Sequence, residues 1–279
     1  MSDDTRRLAV LIDADNISPK VAKDVFEELA SYGTLTVKRA YGDWTTPQLG
    51  GWKTQLNQHA IVPVQQFAYT TGKNSTDSAL IIDAMDLLYS GNLDAFALVS
   101  SDSDFTRLAT RIRESGRTVY GLGLRKTPKS LVAACDTFIY LEVLGKDTDE
   151  GDESDETDEV VETDDSGESA PKPRNVQSLL TRALNKLGDD DGWVRLSALG
   201  SYLSSADSSF DPRNYGHPKL SALVQDQAFL TTTGSGSGLQ VRIKGRTVAK
   251  KTAAKTSTAK KSAAKKTAKK AEQPAQPNG

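Results

Sequence analysis

The stretch Leu98-Val99-Ser100-Ser101-Asp102-Ser103-Asp104-Phe105, residues 98–105, joins the end of an apolar run to the start of a helical pattern. The apolar run before it predicts a buried strand, and the apolar spacing after it predicts a helix. Ligands of open α/β sheets collect where strands end, and carboxylates there suit a hard divalent cation such as Mg²⁺. Asp102 and Asp104 equally suit an ordinary helix N-cap, so both interpretations stay open for this stretch alone.

Residues 1–145 alternate between apolar runs typical of strands and amphipathic patterns typical of helices. This alternation predicts an α/β domain, a Rossmannoid parallel sheet with helices on both faces. Pro63 places the third strand near an edge of that sheet. The predicted strands are 8–12, 35–41, 61–64, 96–99, 118–123 and 138–141, and the predicted helices are 18–31, 52–59, 75–89, 105–115 and 130–135.

Acidic residues from three separate segments are expected at one edge of this sheet. Asp13 and Asp15 follow the first strand, Asp102 and Asp104 follow the fourth, and Asp77 lies in the first turn of the helix at 75–89. Clustered carboxylates repel one another unless a cation lies between them. The residues by themselves therefore favour a metal site, and the lack of a glycine-rich phosphate loop argues against a nucleotide cofactor.

Composition narrows the class of protein further. The chain of 279 residues has one cysteine, which excludes an internal disulfide framework and a multi-cysteine zinc site. Its two histidines, His59 and His217, lie away from the acidic segments, so a Ser–His triad has no support. The first residues lack the apolar core of a signal peptide, and no apolar run approaches the ~18 residues of a membrane span. We expect a cytoplasmic protein with no membrane contact.

Four separated motifs occur in a characteristic order: Leu11-Ile12-Asp13-Ala14-Asp15-Asn16, Tyr41-Gly42-Asp43-Trp44, Lys73 with Asp77 and Asp83, and Ser100 to Phe105. In this order and spacing they resemble the NYN domain, in the LabA-type branch of the PIN-like nuclease superfamily. The resemblance covers roughly residues 5–143. The chain departs from the family at Ser101, where glycine is frequent. Known members of the superfamily are metal-dependent ribonucleases.

The resemblance implies a metal-dependent endoribonuclease that hydrolyses RNA phosphodiester bonds with Mg²⁺ or Mn²⁺. The implied catalytic and metal-binding residues are Asp13, Asp77, Asp102 and Asp104. The supporting residues are Asn16, Asp15, Asp83 and Ser100. Asp83 falls about 240° around the helix from Asp77, which favours a hydrogen-bonding role, and Asp15 has a helix N-cap as its alternative. The main rival function is a non-catalytic RNA-binding regulator with a residual metal site, and the complete carboxylate set counts against it.

Residues 172–243 form a second, small domain in which three amphipathic helices precede a glycine-rich hairpin, as in a winged helix. The string at 210–220, Phe-Asp-Pro-Arg-Asn-Tyr-Gly-His-Pro-Lys-Leu, resembles the signature of the LOTUS domain, also called OST-HTH. That family binds RNA or partner proteins, and the resemblance places Tyr215 and Lys219 at the contacting helix. Tyr215 as a core residue is the alternative. Since RNA needs positive charge, Lys73, Arg39, Arg125 and Lys126 are candidate RNA-binding residues, and the resemblance adds Tyr215 and Lys219.

Two segments of opposite charge complete the chain. Residues 146–171 predict an acidic disordered linker, since residues 146–170 carry 13 acids and 1 base, a net charge of −12. Residues 244–279 predict a Lys/Ala-rich, basic, disordered tail with a net charge of +10. Such a tail should add salt-sensitive binding to phosphates. RNA is thus the expected partner, and protein partners through the winged helix are the alternative.

Overall fold

The computed structural model describes residues 6–67, 75–145, 175–188 and 191–245. The expectations for Lys73, for the acidic segment 146–171 and for the tail beyond Gly245 lie outside these residues. Within the described ranges, no helix has the length and apolar character needed to cross a membrane.

The N-terminal domain is built on one parallel sheet with helices between its strands. The strands are β1 (Arg7–Asp13), β2 (Thr34–Gly42), β3 (Val62–Gln65), β4 (Ala95–Val99), β5 (Thr118–Gly123) and β6 (Thr137–Tyr140). The helices are α1 (Ala22–Ala30), α2 (Trp52–His59), α3 (Ser75–Tyr89), α4 (Thr106–Glu114) and α5 (Lys129–Ala134). The strand order is β3-β2-β1-β4-β5-β6, and every pair is parallel.

The sheet is covered on both faces, as alternation along β1 shows. Leu8, Val10 and Ile12 pack with α1 and α2 on one face. Ala9 and Leu11 pack with α3, α4 and α5 on the other. All five are buried, and removing a large apolar side chain from water contributes about 1.5–3 kcal/mol. The predicted α/β fold with helices on both faces is confirmed.

The order of the strands reverses between β1 and β4. From β1 the chain runs outward through β2 to β3, and it then returns to place β4 on the other side of β1. Ile12 pairs with Val99, so the residues that follow, Asp13 and Ser100, meet at the carboxyl edge. A crevice opens at such a reversal, and ligands of open α/β sheets bind there.

Two predicted helices, at 18–31 and 105–115, have a 3-10 turn before their α-helical part, which begins at Ala22 and at Thr106. Ser18 accepts a hydrogen bond from the Lys20 amide and caps a turn at Pro19–Val21, after which α1 begins. Asp102 caps a turn at Ser103–Phe105 in the same way, and α4 follows. Such 3-10 turns are frequent at the ends of α-helices.

The C-terminal domain combines three helices with a small antiparallel sheet. Its elements are α6 (Val176–Leu187), β7 (Val194–Arg195), α7 (Leu196–Ala206), α8 (Leu220–Asp226), β8 (Leu230–Thr233) and β9 (Gln240–Ile243). The sheet order is β7-β9-β8, and β8 with β9 forms the predicted hairpin. Leu180, Leu199 and Val241 are among the fully buried residues of its core.

Candidate metal centre

Three carboxylates converge at the carboxyl edge of the sheet. Asp77, Asp102 and Asp104 each offer one oxygen, and these oxygens lie within 4.8 Å of one another. Asp77 is buried in the first turn of α3, Asp102 is half-buried in the loop after β4, and Asp104 is exposed. Two distant parts of the chain thus place negative charge at one point, as the order of the strands led us to expect.

Asp13 lies at the base of this site, at the end of β1, and is only 1% exposed. Its Oδ2 accepts hydrogen bonds from Asn16 Nδ2 at 3.0 Å and from Ser100 Oγ at 2.8 Å. Its Oδ1 is buried and has no hydrogen-bond partner among the described residues. A buried carboxylate oxygen without a donor is costly, and a cation would satisfy it.

The electrostatics of the site are unfavourable without a cation. Burial raises the pKa of Asp77 to about 6, and the nearby carboxylates, that of Asp13 foremost, add to this increase. Burial also raises the pKa of Asp13, against the hydrogen bonds from Asn16 and Ser100, which lower it. Both carboxyl groups are therefore harder to ionise than in water, and a bound cation would reverse that effect.

The loop after β4 holds its carboxylates through a chain of short hydrogen bonds. The Asp102 amide donates to Ser100 Oγ at 3.1 Å, and the Asp104 amide donates to Asp102 Oδ1 at 2.9 Å. Ser101 Oγ accepts a hydrogen bond of 2.8 Å from the Leu124 amide, just after β5. Asp102 is consequently both a helix cap and a member of the acidic cluster, so the two interpretations of this residue are compatible.

Asp15 ties α3 to the same edge of the sheet. It accepts a hydrogen bond of 2.8 Å from Thr76 Oγ1, next to Asp77 in sequence, and a longer one of 3.4 Å from the Asp43 amide. The helix N-cap that we considered for Asp15 belongs instead to Ser18. Thr76 was missed in the sequence analysis, and its position beside Asp77 in the first turn of α3 was the only available signal.

Asp83 lies elsewhere on α3 and binds β2. Its two oxygens accept hydrogen bonds from the Arg39 guanidinium and the Tyr41 hydroxyl. Burial and the hydrogen bond to Asp83 raise the pKa of Tyr41. The charge of Arg39 is thus balanced within the domain, which weakens the case for its contact with RNA.

The other candidate RNA-binding residues are dispersed. The Arg125 guanidinium lies 5.4 Å from the Tyr140 ring centroid and donates to Asn214 Oδ1 at 3.2 Å. Lys126 and Lys219 are exposed, whereas Tyr215 is half-buried with its ring 6.0 Å from that of Phe210. Tyr215 therefore has a packing role in the winged-helix domain.

The donor set fits Mg²⁺ or Mn²⁺. Asp77, Asp102 and Asp104 offer hard carboxylate oxygens, which these ions prefer, and no cysteine or histidine belongs to this described group. Asp13 is not a member of the group of three. The Oδ1 of Asp13 is a further carboxylate oxygen, buried and without a donor among the described residues. When bound, such an ion would lower the pKa of a water molecule and stabilise negative charge on a phosphate.

A six-stranded parallel sheet with carboxylates at its reversal point, followed by a winged helix, is consistent with a PIN-like domain joined to a second, small domain. Comparison with family models agrees. The chain carries an NYN domain at residues 7–142 and an OST-HTH/LOTUS domain at residues 171–242. NYN domains form a PIN-like nuclease family, and the OST-HTH/LOTUS domain is an RNA-binding module.

Individual relatives share parts of the chain. An uncharacterized protein of Methanocaldococcus jannaschii, MJ0482, is 27% identical over 127 residues, which are 42% of this chain and 47% of that protein. The chain thus spans about half the length of this relative. The crystal structure of a Vibrio parahaemolyticus protein of unknown function, VPA0982, aligns with 50% of this chain and 95% of that one, at 21% identity and a TM-score of 0.42. A solution structure of a Chromobacterium violaceum protein (175–257) aligns with 26% of this chain and 85% of that one, at 40% identity and a TM-score of 0.22.

Proposed function

We propose that this protein is a metal-dependent endoribonuclease that hydrolyses RNA phosphodiester bonds. The observation that carries the proposal is the convergence of Asp77, Asp102 and Asp104 above the buried Asp13, at the reversal point of an NYN sheet. Neighbouring carboxylates repel one another and destabilise the fold, and a bound cation would offset that repulsion. Mg²⁺ and Mn²⁺ are the expected ions.

Different residues would hold the metal ion, position its ligands and bind RNA. Asp77, Asp102 and Asp104 would hold the ion at the open edge, and Asp13 would complete the set from below. Asn16 and Ser100 hold Asp13 in place through its Oδ2, and its Oδ1 has no donor among the described residues, so a cation would have an unused carboxylate oxygen there. Asp15 holds the first turn of α3 in place through Thr76. The winged-helix domain and the basic tail would bring RNA to this edge.

The test is cleavage of a mixed set of structured and single-stranded RNAs by the purified full chain. We expect cutting with Mg²⁺ or Mn²⁺, none with EDTA, and none from Asp102→Asn. Asparagine at this position still accepts the hydrogen bond from the Asp104 amide, so the helix cap is retained while the charge is lost.

Asp86→Asn is the matched control, since Asp86 is an exposed carboxylate on α3 outside the acidic cluster. It should cut RNA like the wild type. RNA binding without cutting in any metal would instead support the non-catalytic regulator. Cutting that survives Asp102→Asn would show that the site is wrongly assigned.

A further inference from the structure

The segment between α7 and α8 makes contacts with the NYN domain. We call residues 207–214 the docking segment. The Phe138 amide on β6 donates to the Ser208 carbonyl oxygen at 2.7 Å, and Ser208 Oγ donates to the Val132 carbonyl oxygen at 2.7 Å. Because β6 is an edge strand, its outer backbone groups need partners from outside the sheet. The docking segment supplies one of them.

An ion pair joins the same segment to α1, which covers the face of the sheet opposite to α5. Arg213 binds Glu28 on α1 through both oxygens, at 2.8 and 3.0 Å, and it binds Asp211 Oδ2 at 2.7 Å. The Arg213 and Glu28 side chains are only 23% and 16% exposed. A bidentate pair with so little exposure is stronger than a surface ion pair. Removing Arg213 leaves the charge of Glu28 without this partner, whereas removing Glu28 leaves Arg213 paired with Asp211.

A third contact connects the docking segment to the metal centre. Asn214 Oδ1 accepts a hydrogen bond from Arg125, which follows β5 at the carboxyl edge of the sheet. The neighbouring Leu124 amide donates to Ser101 Oγ in the loop that carries Asp102. The docking segment is therefore linked to that loop through two residues.

We propose that the docking segment fixes the winged-helix domain on the NYN domain, with Arg213 as the positioning residue, so that one RNA strand engages both domains. The RNA part of this inference rests on the proposed function. A covalent connection alone raises the local concentration of a second domain, whereas a docked interface also sets its orientation. The string that suggested RNA contact thus has a second role, in its residues 211–214, of joining the two domains.

The structural test compares Glu28→Lys with Glu27→Lys in the full chain. Both changes add the same charge to α1, but the Glu27 side chain is 63% exposed and pairs with Lys23 at 3.8 Å. ¹⁵N relaxation should give one rotational correlation time for both domains in the wild type and in Glu27→Lys. Glu28→Lys should give separate, shorter times with unchanged peak dispersion within each domain. Two different times in the wild type would overturn the proposal.

The functional test compares a long RNA with one too short to reach both domains. Glu28→Lys should raise KM for the long RNA about ten-fold, since the benefit of two linked sites is lost, with kcat unchanged. Both parameters for the short RNA should stay at wild-type values. Arg213→Gln should act in the same way from the other side, and Arg213→Lys, which keeps the charge without the planar fork, should be intermediate.

An equal loss on short and long RNA, or no loss on long RNA, would overturn the positioning role. If the wild type cuts no RNA in any metal, the proposed function fails. The relaxation data still decide the docking in that case, because they need neither RNA nor metal.

Discussion

At the scale of single residues, the metal centre is assembled from groups that destabilise the metal-free fold. Asp77 is buried beside other carboxylates, which raises its pKa from 3.8 to about 6. A carboxyl group whose pKa is raised by folding opposes folding when it is ionised, so the cost is fully present above about pH 6 and absent below the unfolded value. A cation at the site would remove that cost.

We predict that Asp77→Asn stabilises the metal-free protein at neutral pH. The difference between 3.8 and about 6 corresponds to at most about 3 kcal/mol, and solvent screening reduces it to about 1–2 kcal/mol. Urea unfolding in EDTA should show this gain at pH 7, and the gain should vanish as the pH falls below about 4.

The same substitution should abolish stabilisation by metal. Added Mn²⁺ should raise the melting temperature of the wild type and of Asp86→Asn, because an ion that binds only the folded state stabilises it. It should leave Asp77→Asn unchanged. Equal Mn²⁺ responses in wild type and Asp77→Asn would remove Asp77 from the set of ligands.

Ser100 supports the site through two hydrogen bonds. Its hydroxyl donates to the buried Asp13 and accepts from the Asp102 amide. Ser100→Ala should lower the free energy of unfolding by about 1–3 kcal/mol, since it leaves a buried carboxylate with one fewer donor. It should also weaken Mn²⁺ binding, measured by calorimetric titration. Ser103→Ala, at an exposed position in the next turn, is the control and should change neither quantity.

At the scale of elements, the end of β5 holds the loop after β4 in place. A Cβ at Gly123 would lie 2.6 Å from the Ser100 carbonyl oxygen and 2.8 Å from Thr127 Oγ1. Both distances are shorter than an ordinary van der Waals contact, so a side chain at Gly123 would displace the loop that carries Asp102. The metal centre thus depends on a close approach between two neighbouring strands.

Gly123→Ala should therefore destabilise the fold by about 1–3 kcal/mol and reduce RNA cutting. Unfolding by urea and the cleavage assay, run on the same preparation, would measure both effects. Gly50→Ala has open space around its Cβ and should be close to neutral. A fully active, stable Gly123→Ala protein would contradict this account of the loop.

At the scale of the whole molecule, the two edges of the large sheet are treated differently. The β3 edge contains Pro63, which cannot donate a backbone hydrogen bond, and this discourages pairing with another strand. The β6 edge instead donates a backbone hydrogen bond from Phe138 to the docking segment. Proline in β3 thus discourages a further strand from pairing at that edge, whereas the β6 edge contacts the second domain.

The basic tail should govern the salt dependence of RNA binding. Replacing its lysines from Lys250 onward by glutamine should weaken binding at low salt and flatten the plot of log affinity against log salt concentration, since fewer counterions are released. Fluorescence anisotropy with one RNA over a range of salt concentrations measures this. An unchanged slope would show that the tail does not contact RNA.

The sequence by itself determined the order of strands and helices and the carboxylates at the strand ends. The helices at 52–59 and 75–89 and the strand at 118–123 were predicted with their observed bounds, because period and breakers are local properties. The 3-10 first turns before α1 and α4 were not, because a capping side chain suits either kind of turn.

Only the tertiary structure decided which polar groups meet. Arg213 pairs with Glu28, which lies 185 residues away, and Arg39 pairs with Asp83 rather than remaining available for RNA. Ser100 and Asn16 both bind Asp13, and Asp15 binds Thr76. The partners of charged groups and hydroxyls cannot be predicted from sequence periodicity. A hydrogen bond requires donor and acceptor to be close in space, and the packing of the apolar faces sets which groups are close.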